Sequence, residues 1–330
     1  MKKILVVTDN LQDQVNGVVT TYKNLAKAAL LDDYHISFID PGRFPYVNCL
    51  GYPEVKLAFP WKMAQAIKKA RADYYHIATE GPLGLSARAY LTSRNIKYNT
   101  SYHTRFPEGL KTLVGIPEGL TWRYIRWFHK HSGRCLTTTR SVASELEARG
   151  INNVVTWTRG VDTKLFNPQP RQPKPHKTLL CVSRVSREKN LERFCELEIP
   201  NTKKVLVGSG PHLNYLRDRY PSVDFKGMQH GLELASYYQQ ADVFVFPSQW
   251  DTFGLVMLEA IACGTPVAAY PCNGPLDVVE CGVNGYLNED LELAVTECFK
   301  LNKAKVYLSS TKWSWQHCWE IFRDNLVEPL

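Results

Sequence analysis

No apolar run in the 330 residues approaches the roughly 20 positions needed to cross a bilayer, so a spanning helix is not expected. The start, MKKILVVTDN, is basic, but its apolar run is too short for a secretory leader and ends at Asp9. It reads as a first strand. C-x-x-C pairs are absent, although there are nine cysteines. That odd number, with Cys181 and Cys263 inside apolar runs, argues against a disulfide frame or a zinc site and suits reduced core thiols in a cytoplasmic protein. Low-complexity tracts and periodic repeats are missing too, which excludes a solenoid. What is present is an ordinary globular composition, 44% hydrophobic and 22% charged, with a net charge of +8. The excess of cations fits an anionic partner without separating nucleotide, nucleic acid and acidic membrane.

Short apolar runs alternate with helical stretches along the whole length. Ile4–Val7, Ile36–Ile39, Tyr75–Ala78, Tyr98–Tyr102 and Cys135–Thr137 form one series; Leu179–Val182, Val205–Val207, Val243–Phe246 and Pro266–Tyr270 form another. The alternation predicts an α/β chain of two doubly wound, Rossmann-like domains with parallel sheets. Between them, NPQPRQPKPHK places four prolines among polar residues, a stiff connector over 167–177. The domains are therefore expected at 1–166 and 178–305. In open α/β sheets ligands bind outside the carboxyl ends of the strands, so two such domains facing across a cleft would both contribute to a site.

FPSQWDTFGLVMLE, Phe246–Glu259, carries the most chemistry. A buried strand ends at Pro247-Ser248, and an apolar helix begins near Leu255. A helix start leaves amides unpaired, so the turn Phe253-Gly254-Leu255-Val256 offers N–H groups to a diphosphate. Glu259, one turn further, can accept from ribose hydroxyls, and Asp251 sits on the other side of the phosphate, where a sugar would lie. The plainer alternative makes Asp251 a helix cap and Glu259 a solvated helix residue. In SRVSREKN, Arg184 and Lys189 follow a strand end and would supply cations to the same diphosphate.

The spacing from Asp251 to Glu259 resembles the E-x(7)-E motif of the retaining glycosyltransferases of family 4, whose fold is GT-B, with aspartate replacing the first glutamate. That departure is shared with a subgroup resembling sulfolipid and glycolipid synthases and bacterial α-mannosyltransferases. R-x(4)-K, here Arg184 and Lys189, is similar to the family's second signature. Further segments match in order along the chain. Gly208, in GSGP after a strand, resembles a glycine-rich turn lining the donor cleft, and Gly227-Met228 resembles backbone that meets the base. Gly17, in NGV, would present its amide to the leaving diphosphate. His103, in SYHTR, would help hold the sugar. TEGPLG, with Glu80, resembles an acceptor-side segment, and Asp162 of RGVD a structural turn. The resemblance also implies that a last helix, within 306–330, returns to the first domain.

These likenesses imply a retaining hexosyltransferase using a UDP- or GDP-linked sugar. Arg184, Lys189 and the helix amides would stabilise the leaving group, and Asp251 and His103 would orient the sugar. D-x-D is absent, so no metal is expected and no cofactor beyond the donor substrate. A nucleotide-sugar epimerase could share the architecture. A nucleic-acid binder would explain the charge, but the basic residues form no known reading motif, and no nucleic-acid partner is expected. In Leu120–Arg134, residues Arg123, Arg126, Lys130 and Arg134 recur at helical spacing among Tyr124, Trp127 and Phe128. This is either a helix packing its aromatics inward or an interfacial helix on anionic lipid. A membrane glycerolipid is the expected acceptor, at the cytoplasmic membrane face, with a polysaccharide or other soluble acceptor as the alternative.

Overall fold

The computed structural model describes all residues other than 15, 50, 51, 104–106, 108–114, 172 and 330, and all of their side chains but those at 49 and 52–55. The chain forms two units, Met1–Arg159 with Trp315–Leu330, and Gly160–Ser314.

The first unit is built on β1 (Lys2–Val7), β2 (Tyr34–Ile39), the hairpin β3 (Tyr46–Cys49) and β4 (Tyr52–Ala58), β5 (Tyr74–Ile77), β6 (Asn99–Tyr102), β7 (Cys135–Thr137) and β8 (Val154–Thr156). Apart from the antiparallel hairpin, these strands make one parallel sheet in the order β2-β1-β5-β6-β7-β8. Helices α1 (Gly17–Leu30), α2 (Met63–Ala70), α3 (Pro82–Ser93), α4 (Glu118–His129) and α5 (Arg140–Ala148) accompany them. Alternation along β1 divides the core. Ile4 and Val6 pack with Tyr22, Leu25, Trp319 and Phe322, whereas Leu5 and Val7 pack with Met63, Ile67, Leu83 and Phe128. The C-terminal helix Trp315–Asp324 thus covers the α1 side, and α2, α3 and α4 cover the other.

The second unit contains β9 (Lys177–Val182), β10 (Thr202–Val207), β11 (Asp224–Gly227), β12 (Val243–Phe246), β13 (Val267–Ala269) and β14 (Gly285–Leu287), all parallel, in the order β11-β10-β9-β12-β13-β14. Its helices are α6 (Leu191–Cys195), α7 (Leu213–Arg219), α8 (Gly231–Gln240), α9 (Leu255–Ala262), α10 (Pro275–Val278), α11 (Leu291–Cys298) and α12 (Lys303–Ser309). All four residues of β12 are buried, because a parallel strand with helices on both faces has no solvent side.

The break falls at Arg159, ahead of the proline-rich stretch. Residues 167–177 belong to the second unit, where Arg171 donates to Thr265 Oγ1 at 2.9 Å and Lys174 to the carbonyl of Gln240 at 3.1 Å. Proline stiffness marks a connector in sequence, but these cationic side chains pin the segment beside one sheet. Helix α12 and Trp313 also stay with the second unit, Trp313 packing edge-on to Phe253, and the return to the first unit begins at Trp315. Of the eight cysteines whose side chains are described, six are buried.

Phe322 is fully buried, with its ring 4.9 Å from that of His76 and 5.1 Å from that of Trp157. Phe322→Ala should destabilise the first unit by about 3–5 kcal/mol in urea unfolding. A loss below ~1 kcal/mol would mean that the returning helix is not part of this core.

Candidate functional site

In the second unit the chain runs outward from β9 in both directions, β10 and β11 on one side and β12 to β14 on the other. The β9/β12 pair is therefore a topological switch point, where neighbouring loops leave in opposite senses and open a crevice. The loop after β9 carries Arg184 and Lys189; the loop after β12 carries Asp251 and Gly254. Val185 N donates to Ser209 O, 3.0 Å, and Asn190 Nδ2 to Pro247 O, 3.4 Å, which fixes the first loop against both neighbours. Lys189 closes a short 3-10 turn, Arg187–Lys189, and its Nζ reaches Asp251 Oδ1 at 2.6 Å. Burial pushes the Asp251 carboxyl up, but the Lys189 ammonium and hydrogen bonds from Lys189 and Ser248 outweigh it and leave the group below its usual value.

Asp251 does not cap the following helix. The N-cap of α9 is Gly254, which brings no capping side chain, and the helix starts with its positive end at the carboxyl end of β12, on the loop that carries Asp251. Gly254 has φ +88°, and a Cβ there would lie 2.9 Å from Phe246 and Met257. Only glycine combines that backbone with such close packing. On the same helix Glu259 accepts a 2.7 Å hydrogen bond from the buried Tyr238 hydroxyl. Burial raises its carboxyl to about 7, the Tyr238 bond opposing the rise. It is not a plainly solvated helix residue.

Gly208 follows β10 with φ +141°, its amide donating to Gly227 O at 2.8 Å, and a Cβ would fall 1.8 Å from the Ser183 carbonyl oxygen. The G-x-G is thus a contact between the loops after β10 and β9. Gly227 ends β11, and Met228 beside it is exposed. The structure brings Arg184, Lys189, Gly208, Gly227, Asp251, Phe253 and Gly254 to the carboxyl ends of adjacent strands, with Leu255, Val256 and Glu259 on the helix that follows.

The first unit has its own switch point, between β1 and β5. Asn16 follows β1 and caps α1, its side chain accepting from Val19 N at 2.9 Å, so Gly17 is the first helical residue. Asp9 accepts from the Thr79 hydroxyl at 2.6 Å and from Leu83 N at 2.8 Å, filling the start of α3 with a carboxylate that burial raises to about 6. Glu80 is buried against His129, 3.3 Å away. His103, after β6, is buried, and both ring nitrogens are engaged: Arg159 donates to Nδ1 at 3.0 Å, and Nε2 lies 3.1 Å from Tyr22 Oη. Since guanidinium only donates, the neutral ring carries its proton on Nε2 and donates to Tyr22. Burial, then the Arg159 and His76 charges, hold His103 well below its ordinary value. For His103 to hold a sugar, a hydroxyl would have to displace Tyr22. Thr104 and Arg105 of the same stretch lie outside the described residues.

Sequence reasoning missed Arg159, Tyr22, Ser101 and His76, which form this buried network; His76 Nε2 lies 2.8 Å from both Tyr22 Oη and Ser101 Oγ. Tyr22 sits 81 positions before His103, and nothing local couples them. Arg159 was visible only as the first letter of RGVD. Asp162 of that motif accepts from Lys164 N at 3.0 Å, a turn bond.

The family model for Glycosyltransferase Family 4 matches residues 15–165, and that for Glycosyl transferases group 1 matches residues 145–292. The chain is 26% identical over 323 residues to the GDP-mannose-dependent alpha-mannosyltransferase of Corynebacterium glutamicum, covering 89% of this chain and 78% of that protein. It is 28% identical over 315 residues to the alpha-monoglucosyldiacylglycerol synthase of Streptococcus pneumoniae, covering 81% and 71%. Among solved structures, sucrose-phosphate synthase from Thermosynechococcus elongatus superposes with a TM-score of 0.76 over 98% of this chain and 94% of that one; at 18% identity this speaks to the fold alone.

Gly208→Ala should force the Ser183 carbonyl away and cost about 1–3 kcal/mol, read as a lowered melting temperature. An unchanged melting temperature would mean that the β9 and β10 loops are not locked together.

Proposed function

The chain belongs to the family 4 glycosyltransferases of GT-B fold and transfers sugar from a nucleotide sugar, and on that premise we propose that it is a retaining hexosyltransferase whose acceptor is a membrane glycerolipid. The observation that carries the donor half is the Lys189–Asp251 pair beside the uncapped start of α9, at the switch point of the second sheet. A carboxylate, a partly exposed ammonium and a helix start within one loop cluster suit a sugar diphosphate, whose phosphates need donors and whose sugar hydroxyls need an acceptor.

In this reading the diphosphate lies on the amides of Leu255 and Val256, with Arg184 and Lys189 drawing the charge that builds as the sugar bond breaks. Lys189, already salt-bridged, is held in place before the donor arrives, and Asp251 remains ionised to orient sugar hydroxyls. Glu259 accepts from ribose. Gly227 and Met228 border the base. The first unit receives the acceptor, whose hydroxyl approaches the face from which the phosphate departs, and that phosphate helps take the proton. The cations take the place of a metal. The diacylglycerol in the name of the Streptococcus relative, together with the basic aromatic face of α4, supports a lipid acceptor at the cytoplasmic membrane face.

Arg184→Ala and Lys189→Ala should each lower turnover by at least about 100-fold with the fold intact, and transfer should persist in excess chelator. Assays with labelled UDP- and GDP-hexoses on diacylglycerol micelles, the product anomer read by NMR, test the assignment. Near wild-type turnover in both variants, or an inverted anomer, would reject it.

Glu259 gives a pH signature. With its carboxyl raised to about 7 in the free protein, it is largely protonated at pH 6 and ionised at pH 8. A ribose diol favours the ionised acceptor, so nucleotide affinity should rise with pH between about 6 and 8 and then level off. Calorimetry of free nucleotide diphosphate checks this, and Glu259→Gln should bind weakly with that limb removed. The same slope in the variant would assign the titration to another group.

A further inference from the structure

Two helices start at the switch point of the first sheet, and they are finished differently. Helix α1, after β1, is capped by the neutral Asn16. Helix α3, after β5, has Gly81 as its N-cap, which brings no capping side chain, and neither helix has an acidic residue in its own first turn. The cap of α3 comes from the loop after β1 instead. Asp9 Oδ1 accepts from Leu83 N at 2.8 Å, and Oδ2 accepts from the Thr79 hydroxyl at 2.6 Å and from Gly84 N at 3.4 Å. Thr79 Oγ1 in turn accepts from Asp9 N at 2.7 Å, so the loops after β1 and β5 are tied together. The fit is close: a Cβ on Gly81 would lie 2.5 Å from Asp9 Cγ.

The charge of Asp9 is not compensated. Its donors are N–H groups and a hydroxyl, and among the described residues no cation pairs with it. Glu80, beside Thr79, is treated otherwise. It faces His129 Nε2 at 3.3 Å, and although burial opposes charge on that ring, Cys135 and Glu80 raise it to about 10, so Glu80 has a counter-ion. In an open α/β sheet the helix starts beside the switch point are the ordinary place for a phosphate. At α3 a half-buried carboxylate already takes the amides of Leu83 and Gly84 and repels a second anion. The start of α1 carries no such charge.

We propose that Asp9 selects the acceptor by refusal: it turns away compounds with a phosphate beside the reacting hydroxyl and leaves the place to uncharged hydroxyl compounds. Charge and occupation act together, since an incoming phosphate would have to displace a fixed anion from the donors it needs. The proposal rests on the reading that the first unit receives the acceptor, and adds which acceptors it rejects.

Two measurements on the full chain test it. In the first, excess UDP and GDP fill the donor site while inorganic phosphate is titrated by calorimetry. Wild type should bind none, and Asp9→Ser, which clears the carboxylate from Leu83 and Gly84, should gain a site. In the second, kcat/KM is compared within two acceptor pairs: diacylglycerol against phosphatidylglycerol in the same neutral detergent micelles, and methyl α-mannoside against mannose 6-phosphate. Wild type should favour the uncharged member. Asp9→Asn, which keeps an oxygen for Leu83 N, should narrow that preference by about tenfold or more at an unchanged melting temperature. Damage to the fold would lower both members alike and leave the ratio where it was. An unchanged ratio in Asp9→Asn, wild-type use of the phosphorylated member equal to that of the uncharged one, or phosphate binding by wild type as tight as by Asp9→Ser would overturn the proposal. If none of the four compounds is a substrate, the lipid-acceptor reading fails on its own account, and the phosphate titration decides the role of Asp9.

Discussion

Parallel strands buried on both faces leave chemistry nowhere to go but their ends, and that constraint organises the whole chain. Covering β9 and β12 on both sides produces two apolar layers in the second unit, one with α8 and α9 and the other with α6, α7 and α11. Because β10 and β12 lie on opposite sides of β9, the connections that follow β9 and β12 diverge, and the crevice opens at the centre of the sheet. Arg184, Lys189, Asp251 and Gly254 are loop residues, but they are held by a fully packed frame. The first unit repeats the plan around β1 and β5, where Asp9, Asn16, Glu80 and His103 gather.

Two carboxylates eight positions apart end in opposite electrostatic states. Both are buried, but at Asp251 an ammonium outweighs the burial and holds the group ionised, whereas at Glu259 burial prevails over the hydrogen bond from Tyr238 and draws the group toward protonation. The difference is one of surroundings, since the intrinsic acidities are nearly equal. It accords with the proposed division, in which one group would stay charged for sugar hydroxyls and the other would titrate near neutrality beside ribose. His103 follows a third course, kept neutral by burial and by Arg159, with its one N–H directed to Tyr22.

By itself the sequence determined the α/β alternation, the two-sheet plan, the turn at Gly254 and the cations after β9, because each is written in local periodicity or in residues a few positions apart. Strand edges were legible to within a residue or two in Ile4–Val7 and Val243–Phe246, where an apolar run is bounded by polar neighbours. The hairpin β3–β4 and the short β8 and β14 were not legible, since runs of three to seven residues carry too little pattern. Tertiary structure alone decided the break at Arg159, because cationic contacts made by residues 167–177 dock a stretch whose prolines resemble a free connector. It also decided that Lys189 pairs with Asp251, 62 positions away, and that Arg159 and Tyr22 enclose His103. Those partners share no local spacing. They meet only because parallel strands distant in the chain are laid side by side with their carboxyl ends together.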